Sequence, residues 1–357
     1  LQVYIDLDAL HRNAQFILQK ADKPVAAVVK GDAYGHDVSL VVPSLIVAGV
    51  RRFIVSNIRE AISLWNLGAE WILVLHPSPD DTRIYDTLLV EIKNSIRFAV
   101  WDSSILHLLP SGSRVHIALS TGFGLGINGD VDTSMFKDVE VEGIMGHMPF
   151  LDDTPDHQAL RKDIYTSFLS TVSHLQVKFP NVSEIHICNS ASLFYLNDCP
   201  DTTMFRVGVA LYGYVEKVDI RPLLRPVMYQ MANVIAISRV KKGDSVFYGD
   251  IADRDMTIAF VRAGYGDGYV GGPYALHLKS RTYIRRVFDL TMNVSAFDIT
   301  GMSVEVGDTL VLLGHFEKVR ADMVAEALSL STEKVLTKAG LTRRQALPDT
   351  IRDLLQS

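Results

Sequence analysis

The chain has only two cysteines, Cys188 and Cys199, among 357 residues. That is too few for a disulfide framework, and without a CxxC spacing the pair suits a reducing compartment. There is no excess of positive charge either: 35 Lys and Arg stand against 41 Asp and Glu, a net charge of −6. With no basic surplus to condense on phosphate backbones or anionic lipid, neither nucleic acid nor membrane is an expected partner. Long hydrophobic runs are missing as well. SLIVAGV at residues 44–50 falls short of the ~20 residues that cross a bilayer. The first residues, LQVYIDLDAL, lack the basic flank and cleavage site of a signal peptide. A cytoplasmic protein is expected. The remaining composition, 48% hydrophobic and 21% charged with 24 Gly and 13 Pro, excludes disorder, collagen and coiled coil.

What is present is a succession of short apolar runs: VAAVV (25–29), FIVSN (53–57), WILVLH (71–76), IRFAV (96–100), VHIALS (115–120), VEGIMGH (141–147), EIHICNS (184–190) and FRVGVALYG (205–213). Each is nearly continuous in apolar residues, as in a parallel strand covered on both faces. Between them lie stretches of helical spacing, such as Leu160, Ile164, Phe168, Leu169 and Val172. Eight repeats of strand then helix are the pattern of a (β/α)8 TIM-like barrel, an α/β fold. After Pro226 the texture changes to VIAISRV, SVFYG, MTIAFV, SVEVGD and TLVLLG joined by short turns, with hardly a helix before residue 321. That predicts a mostly β C-terminal domain with a terminal helix. Pro222 and Pro226 mark the break, giving a barrel over 1–222 and a β domain over 223–357.

Lys30 ends the first barrel strand, and the C-terminal ends of barrel strands form the active-site face. Backed by VAAVV, its amine can be partly desolvated, which lowers its pKa and frees it as nucleophile or base. For an isolated lysine the ordinary reading is a solvated strand end. Phosphate sites in such barrels use the loops after strands 7 and 8, which here begin with Asn189-Ser190 and Gly208-Val209. Ser190 hydroxyl and the N–H groups around Gly208 are suitable neutral donors to a dianion. NSAS also reads as a helix N-cap.

AVVKGDAYGHD resembles the lysine motif of the alanine racemases, AVVKANAYGHG. The resemblance continues in order along the chain: EGIMGH is similar to EG-x-x-TH, HICNSAS to H-x-x-NSA, FRVGVALYG to VRPGIALYG, and AGYGDGY to GYADG. It implies a pyridoxal 5'-phosphate enzyme in which Lys30 carries the cofactor as an internal aldimine and Tyr34 reaches its phosphate. It implies that Asn189, Ser190, Gly208 and Val209 lie at that phosphate, that Arg206 faces the pyridine nitrogen, and that His147 and His186 form a network with the arginine and a tyrosine. A guanidinium can only donate, so the ring nitrogen it faces stays unprotonated, which disfavours transamination. For Arg206 alone the ordinary reading is a buried salt bridge. The resemblance also implies that Tyr265 is the second base: racemisation removes a proton from one face of a planar intermediate and returns it to the other, so Lys30 and Tyr265 would serve opposite faces. The resemblance implies that Tyr265 reaches the other subunit's site, making a homodimer. The activity implied is interconversion of L- and D-alanine, supplying D-alanine for peptidoglycan.

Three departures from the family pattern stand out. Where members read K-x-DTGMGRLG this chain has ALSTGFGLGING, so Ala118 replaces a lysine and Leu125 the arginine that grips the substrate carboxylate. Met292-Asn293 stands for the family's MD, leaving the Met292 N–H as a substrate donor. Glu333 stands where a tyrosine would bind phosphate. These departures keep open a racemase for another amino acid, such as lysine or serine, or a pyridoxal-phosphate-binding protein of reduced activity. GLGING at 124–129 is a literal GxGxxG, but it follows the fifth strand and precedes a poor helix, so a dinucleotide oxidoreductase is the weaker alternative. His186 and Cys188 share a strand face without further ligands, and no metal is expected.

Overall fold

The structure, a computed structural model, describes residues 1–128, 131–149, 154–195, 199–215 and 220–356. It divides into two compact units. One comprises His11–Ala33 and Val41–Leu224, the other Leu1–Leu10, Tyr34–Leu40 and the chain from Arg225 onward.

The strands begin with β1 (Gln2–Ile5), which belongs to the second unit, and continue through β2 (Val25–Val28), β3 (Arg52–Val55), β4 (Trp71–Val74), β5 (Ile96–Val100), β6 (Arg114–Ala118), β7 (Glu140–Met145), β8 (Glu184–His186) and β9 (Phe205–Val207). From β2 to β9 they form one eight-stranded sheet in the order β8-β7-β6-β5-β4-β3-β2-β9, every pairing parallel. The ends meet where Thr203 N donates to Ile185 O and Arg206 N to Cys188 O, so the sheet closes into the expected barrel. Each apolar run of the sequence supplies one of these strands.

The barrel interior is more polar than the runs suggest. Arg52 pairs with Glu184 and Arg97 with Glu142, both at 2.8 Å. Trp71 lies between them, with the two guanidinium carbons 5.4 and 5.3 Å from its ring centre. Among the helices, Pro155–Lys178 is capped by Thr154, whose hydroxyl accepts from His157 N. Its buried residues are Arg161, Phe168, Val172 and Leu175, whereas Leu160 is exposed, so the expected apolar stripe is only partly the buried one.

The cysteines are joined. Cys188, just past β8, bonds to Cys199, which precedes β9. Two cysteines are too few for a framework, yet they make this one bond, so cysteine usage no longer supports the expectation of a reducing compartment.

In the second unit, β10 (Met228–Val240) is long enough to serve several partners. It pairs antiparallel with β1, with Met256–Val261 and with Thr309–Leu313, its register shifting between Gln230 and Met231 and between Val234 and Ala236. Strands Tyr274–His277, Thr282–Val287, Ser295–Asp298 and Arg344–Ala346 complete an eight-stranded sheet. Val234, Ala259, Val261, Phe297, Leu310 and Leu312 form a core on it. Residues 1–10 therefore depart from the expected 1–222 barrel: Gln2–Ile5 finds its hydrogen-bond partners in β10 and Arg344–Ala346. Helices Ala321–Ala327 and Thr332–Ala339 precede the strand Arg344–Ala346 and Asp349–Gln356 follows it, three helices where a single terminal one was expected. No described helix is long and apolar enough to cross a membrane.

Candidate active site

Lys30 opens a single turn, Lys30–Gly35, in which Gly31, Asp32, Ala33, Tyr34 and Gly35 all have positive φ, between 54° and 80°. A left-handed turn costs roughly 1–2 kcal/mol for each non-glycine residue and persists only where its surroundings impose it. Glu60 is one such constraint: its carboxylate accepts from Gly31 N at 2.8 Å and from Ser56 N at 2.7 Å, tying together the ends of β2 and β3. The sequence offered no sign of Glu60's role.

At the opposite side of the β2 pairing, Arg206 on β9 is buried. It donates to His186 Nδ1 at 2.9 Å and to the carbonyls of His186, Gly146 and Ile187 at 3.0, 2.7 and 3.4 Å. No carboxylate pairs with it among the described residues, so the salt-bridge reading does not hold. Burial lowers its pKa to about 10, leaving it charged near neutrality. His186 is held well below the ordinary imidazole value, first by burial and then by Arg206. His147 is lowered to about 3 by burial and by the charges of Arg206, Lys30 and His76. Its backbone is fixed by Thr121, whose hydroxyl accepts from His147 N at 2.9 Å and donates to His147 O at 2.6 Å. His76, which ends the WILVLH run, belongs to the same group: burial, then Lys30, lowers its pKa. Its strand-end position was the available signal. Lys30, His76, His147 and Arg206 thus share one electrostatic neighbourhood in the barrel.

Ser190 and Gly208 are in contact, the hydroxyl oxygen accepting from Gly208 N at 3.0 Å. The Ser190 proton is left to donate outward, and Val209 follows in the same turn. Asn189 shapes the loop that carries Ser190. Its Oδ1 caps Ser190–Tyr195 by accepting from Ser192 N at 3.1 Å, and its Nδ2 donates to Met148 O at 2.9 Å. Both ends of the amide are used to shape the loop, as the N-cap reading anticipated.

Ala118 is fully buried at the end of β6, and Leu125 sits half-exposed on a loop that folds back on itself through Ile127 N to Ala118 O, 2.8 Å, and Ser120 N to Ile127 O, 3.1 Å. Gly126, at φ +128°, permits the fold: a Cβ there would lie 2.5 Å from Ser120 N. The segment following is a 3-10 turn, Thr133–Phe136, so the helix a dinucleotide site requires is missing; Gly129 lies outside the described residues.

Within the β unit, Tyr265 is half-exposed in the turn Tyr265–Asp267. The turn is seated on Met292 and Asn293. Gly266 N donates to Met292 O at 2.9 Å, Asn293 Nδ2 donates to Asp267 Oδ1 at 3.1 Å, and a Cβ on Gly264 would stand 2.3 Å from the Met292 carbonyl carbon. Two residues singled out separately in the sequence are thereby neighbours. Tyr34 lies in the same unit, and burial, then the charge of Glu333, raises its phenol pKa. Gly35 meets the helix that carries Glu333, Thr332–Ala339, so closely that a Cβ on it would be 2.7 Å from Leu336 O.

A strand-end lysine, a buried guanidinium with no carboxylate partner among the described residues and a serine hydroxyl with a proton to donate are the groups expected of a barrel enzyme of the pyridoxal-phosphate class acting on amino acids. The family profile described as alanine racemase, N-terminal domain, matches residues 5–216, and the C-terminal domain profile matches 227–346. The chain belongs to the alanine racemase family, isomerases that interconvert L- and D-alanine with pyridoxal phosphate. It is 32% identical to an alanine racemase of Coprothermobacter proteolyticus, over 92% of this chain and 93% of that one. It is 31% identical to alanine racemase 1 of Clostridium acetobutylicum, over 93% and 91%. The alanine racemase of Bacillus anthracis with bound L-Ala-P superposes with a TM-score of 0.81 at 25% identity, covering 98% of this chain and 95% of that one. That of Bartonella henselae with covalently bound pyridoxal phosphate gives 0.81 at 20% identity, covering 97% and 99%.

Proposed function

We propose that this chain racemises alanine with two bases, Lys30 and Tyr265, in a homodimer whose active sites each take Tyr265 from the partner. The observation that carries the reading is Arg206, a buried guanidinium whose Nη atoms are held by neutral partners among the described residues, so that its Nε–H would be the donor to a ligand acceptor. The donor set fits pyridoxal phosphate. Ser190 hydroxyl, Asn189, the Val209 amide, the Gly208 amide once released from Ser190 and the Tyr34 hydroxyl would hold the phosphate, Lys30 would hold the group covalently through Nζ, and Arg206 would donate to the ring nitrogen. When bound, the cofactor withdraws electrons from the amino acid and acidifies its α-hydrogen.

The remaining work belongs to the chain. Lys30 Nζ moves a proton on one face, and Tyr265 hydroxyl on the other. Neutral His147 stands beside Arg206 without adding a second positive charge. Met292 N–H would orient the substrate carboxylate. A second reading, racemisation of another amino acid, is favoured by one observation: hydrophobic Leu125 and buried Ala118 occupy the clamp positions. We assign the work to the cytoplasm and its product to peptidoglycan; the family supports this, and cysteine usage no longer does.

Borohydride reduction of the cofactor-loaded protein should fix the label on the peptide containing Lys30, and an amino-acid panel assayed for loss of optical rotation should show alanine as the best substrate. Label on another lysine would refute the assignment of Lys30. Preference for a different amino acid would favour the second reading.

A further inference from the structure

One buried histidine of the barrel has no part in the chemistry above. His116 on β6 is fully buried, its Nδ1 lies 2.8 Å from His186 Nε2, and its own Nε2 has no hydrogen-bond partner among the described residues. A buried polar nitrogen left unbonded is unfavourable, so its retention calls for a reason.

The directions of the hydrogen bonds supply one. A guanidinium can only donate, so His186 Nδ1, 2.9 Å from an Arg206 nitrogen, must accept. The proton of neutral His186 then sits on Nε2 and is donated to His116 Nδ1. The proton of neutral His116 is left on Nε2, the nitrogen without a partner among the described residues. The opposite polarity would turn a protonated His186 Nδ1 against a donor. Both rings stay neutral near pH 7, because burial and then the surrounding arginines hold His116 at about 3 and burial and then Arg206 hold His186 well below its usual value.

The surroundings keep His116 in place. On β7, Gly143 leaves room for the ring, since a Cβ there would lie 2.6 Å from His116 Nδ1. On β4, Trp71 meets the ring edge to face at 5.8 Å, itself flanked by the paired Arg52 and Arg97.

We propose that His116 is a positioning residue: by accepting from His186 Nε2 it locks His186 in the one tautomer whose Nδ1 can receive Arg206, and so fixes the guanidinium toward the cofactor. The inference rests on the proposed role of Arg206. It carries a consequence for the reaction. If His186 can change tautomer, Arg206 loses a fixed acceptor and the ring nitrogen loses a fixed donor. The nitrogen can then take a proton, and a stronger electron sink favours transamination over simple proton return.

The test compares His116→Leu, which removes the acceptor, with His116→Asn, whose side-chain carbonyl oxygen falls near the place of Nδ1. Gly143→Ala, which displaces the ring without removing it, is a third arm. Two signals are read in the full-length protein, each variant first shown to melt cooperatively. One is the 15N spectrum of histidine ring nitrogens before cofactor is added, with His186 assigned by its loss in His186→Gln. The other, after loading with pyridoxal phosphate, is the number of alanine racemisations per transamination event. His186 should be protonated on Nε2 in the wild type and the asparagine variant, and should change or mix tautomers in the leucine and alanine variants. The racemisation count should fall roughly tenfold or more with leucine and change by less than about twofold with asparagine. A leucine variant with the wild-type tautomer and count, or a folded asparagine variant as impaired as leucine, overturns the proposal. If the wild type fails to racemise alanine, the proposed function falls, while the ring-nitrogen spectrum still decides whether His116 sets the tautomer.

Discussion

In the proposed mechanism, chemistry turns on Tyr265 and specificity on Leu125. Racemisation needs a base on each face, so replacing Tyr265 by Phe should abolish solvent-hydrogen exchange from one enantiomer far more than from the other. The measurement is deuterium uptake by L- and D-alanine separately; equal, small losses would show that Tyr265 is not a base. At Leu125, the missing guanidinium removes charge-assisted hydrogen bonds worth ~1.5–3 kcal/mol, roughly ten- to a hundredfold in affinity. A high KM for alanine is therefore expected, and Leu125→Arg together with Ala118→Lys should lower KM more than it alters kcat. The paired change is the fairer one, because the buried Ala118 position cannot support a guanidinium as a lysine could. Steady-state kinetics decide it: unchanged KM with cofactor still bound would mean that another group already holds the carboxylate.

At the scale of elements, the turn Lys30–Gly35 shows how a strained segment is held. Gly340 caps Thr332–Ala339 at φ −76°, an angle any residue adopts, so its need for glycine comes only from contact. A Cβ on it would lie 2.0 Å from Gly35 O and 2.4 Å from Gly35 Cα, both backbone atoms that cannot swing away. Gly340→Ala should thus destabilise the protein by ~1–3 kcal/mol, read as a lower urea midpoint. A midpoint equal to wild type would mean that the two segments separate without cost. All eight barrel strands were legible as apolar runs, since parallel strands covered on both faces carry that pattern themselves. The helix Pro155–Lys178 was legible in extent but not in its buried face, which includes Arg161 and leaves Leu160 exposed. Which face of a mixed helix is buried depends on its neighbours and not on its own spacing.

For the whole molecule, the proposed homodimer makes Lys30 and Tyr265 of different chains one site. Mixing Lys30→Ala with Tyr265→Phe protein, each inactive alone, should restore activity, because some heterodimers carry one intact pair. No recovery after demonstrated subunit exchange would refute the shared site. The same scale explains why β1 joins the C-terminal sheet: its four residues find partners in β10 and Arg344–Ala346, more than 220 positions away in the chain. Nothing within Gln2–Ile5 could announce that destination.

The sequence by itself determined the barrel, the β-rich second half and the chemical identity of Lys30, Arg206 and Tyr265, because strand patterning and functional-group chemistry are local properties. It also carried the N-cap at Asn189, a matter of four successive residues. Only the tertiary structure decided that Asn189 shapes the loop, that Glu60 ties the lysine turn, that the cysteines meet, and that His116 continues the chain from Arg206 through His186. Each of these depends on distances and hydrogen-bond directions between residues far apart in sequence, and those exist only once the barrel has closed.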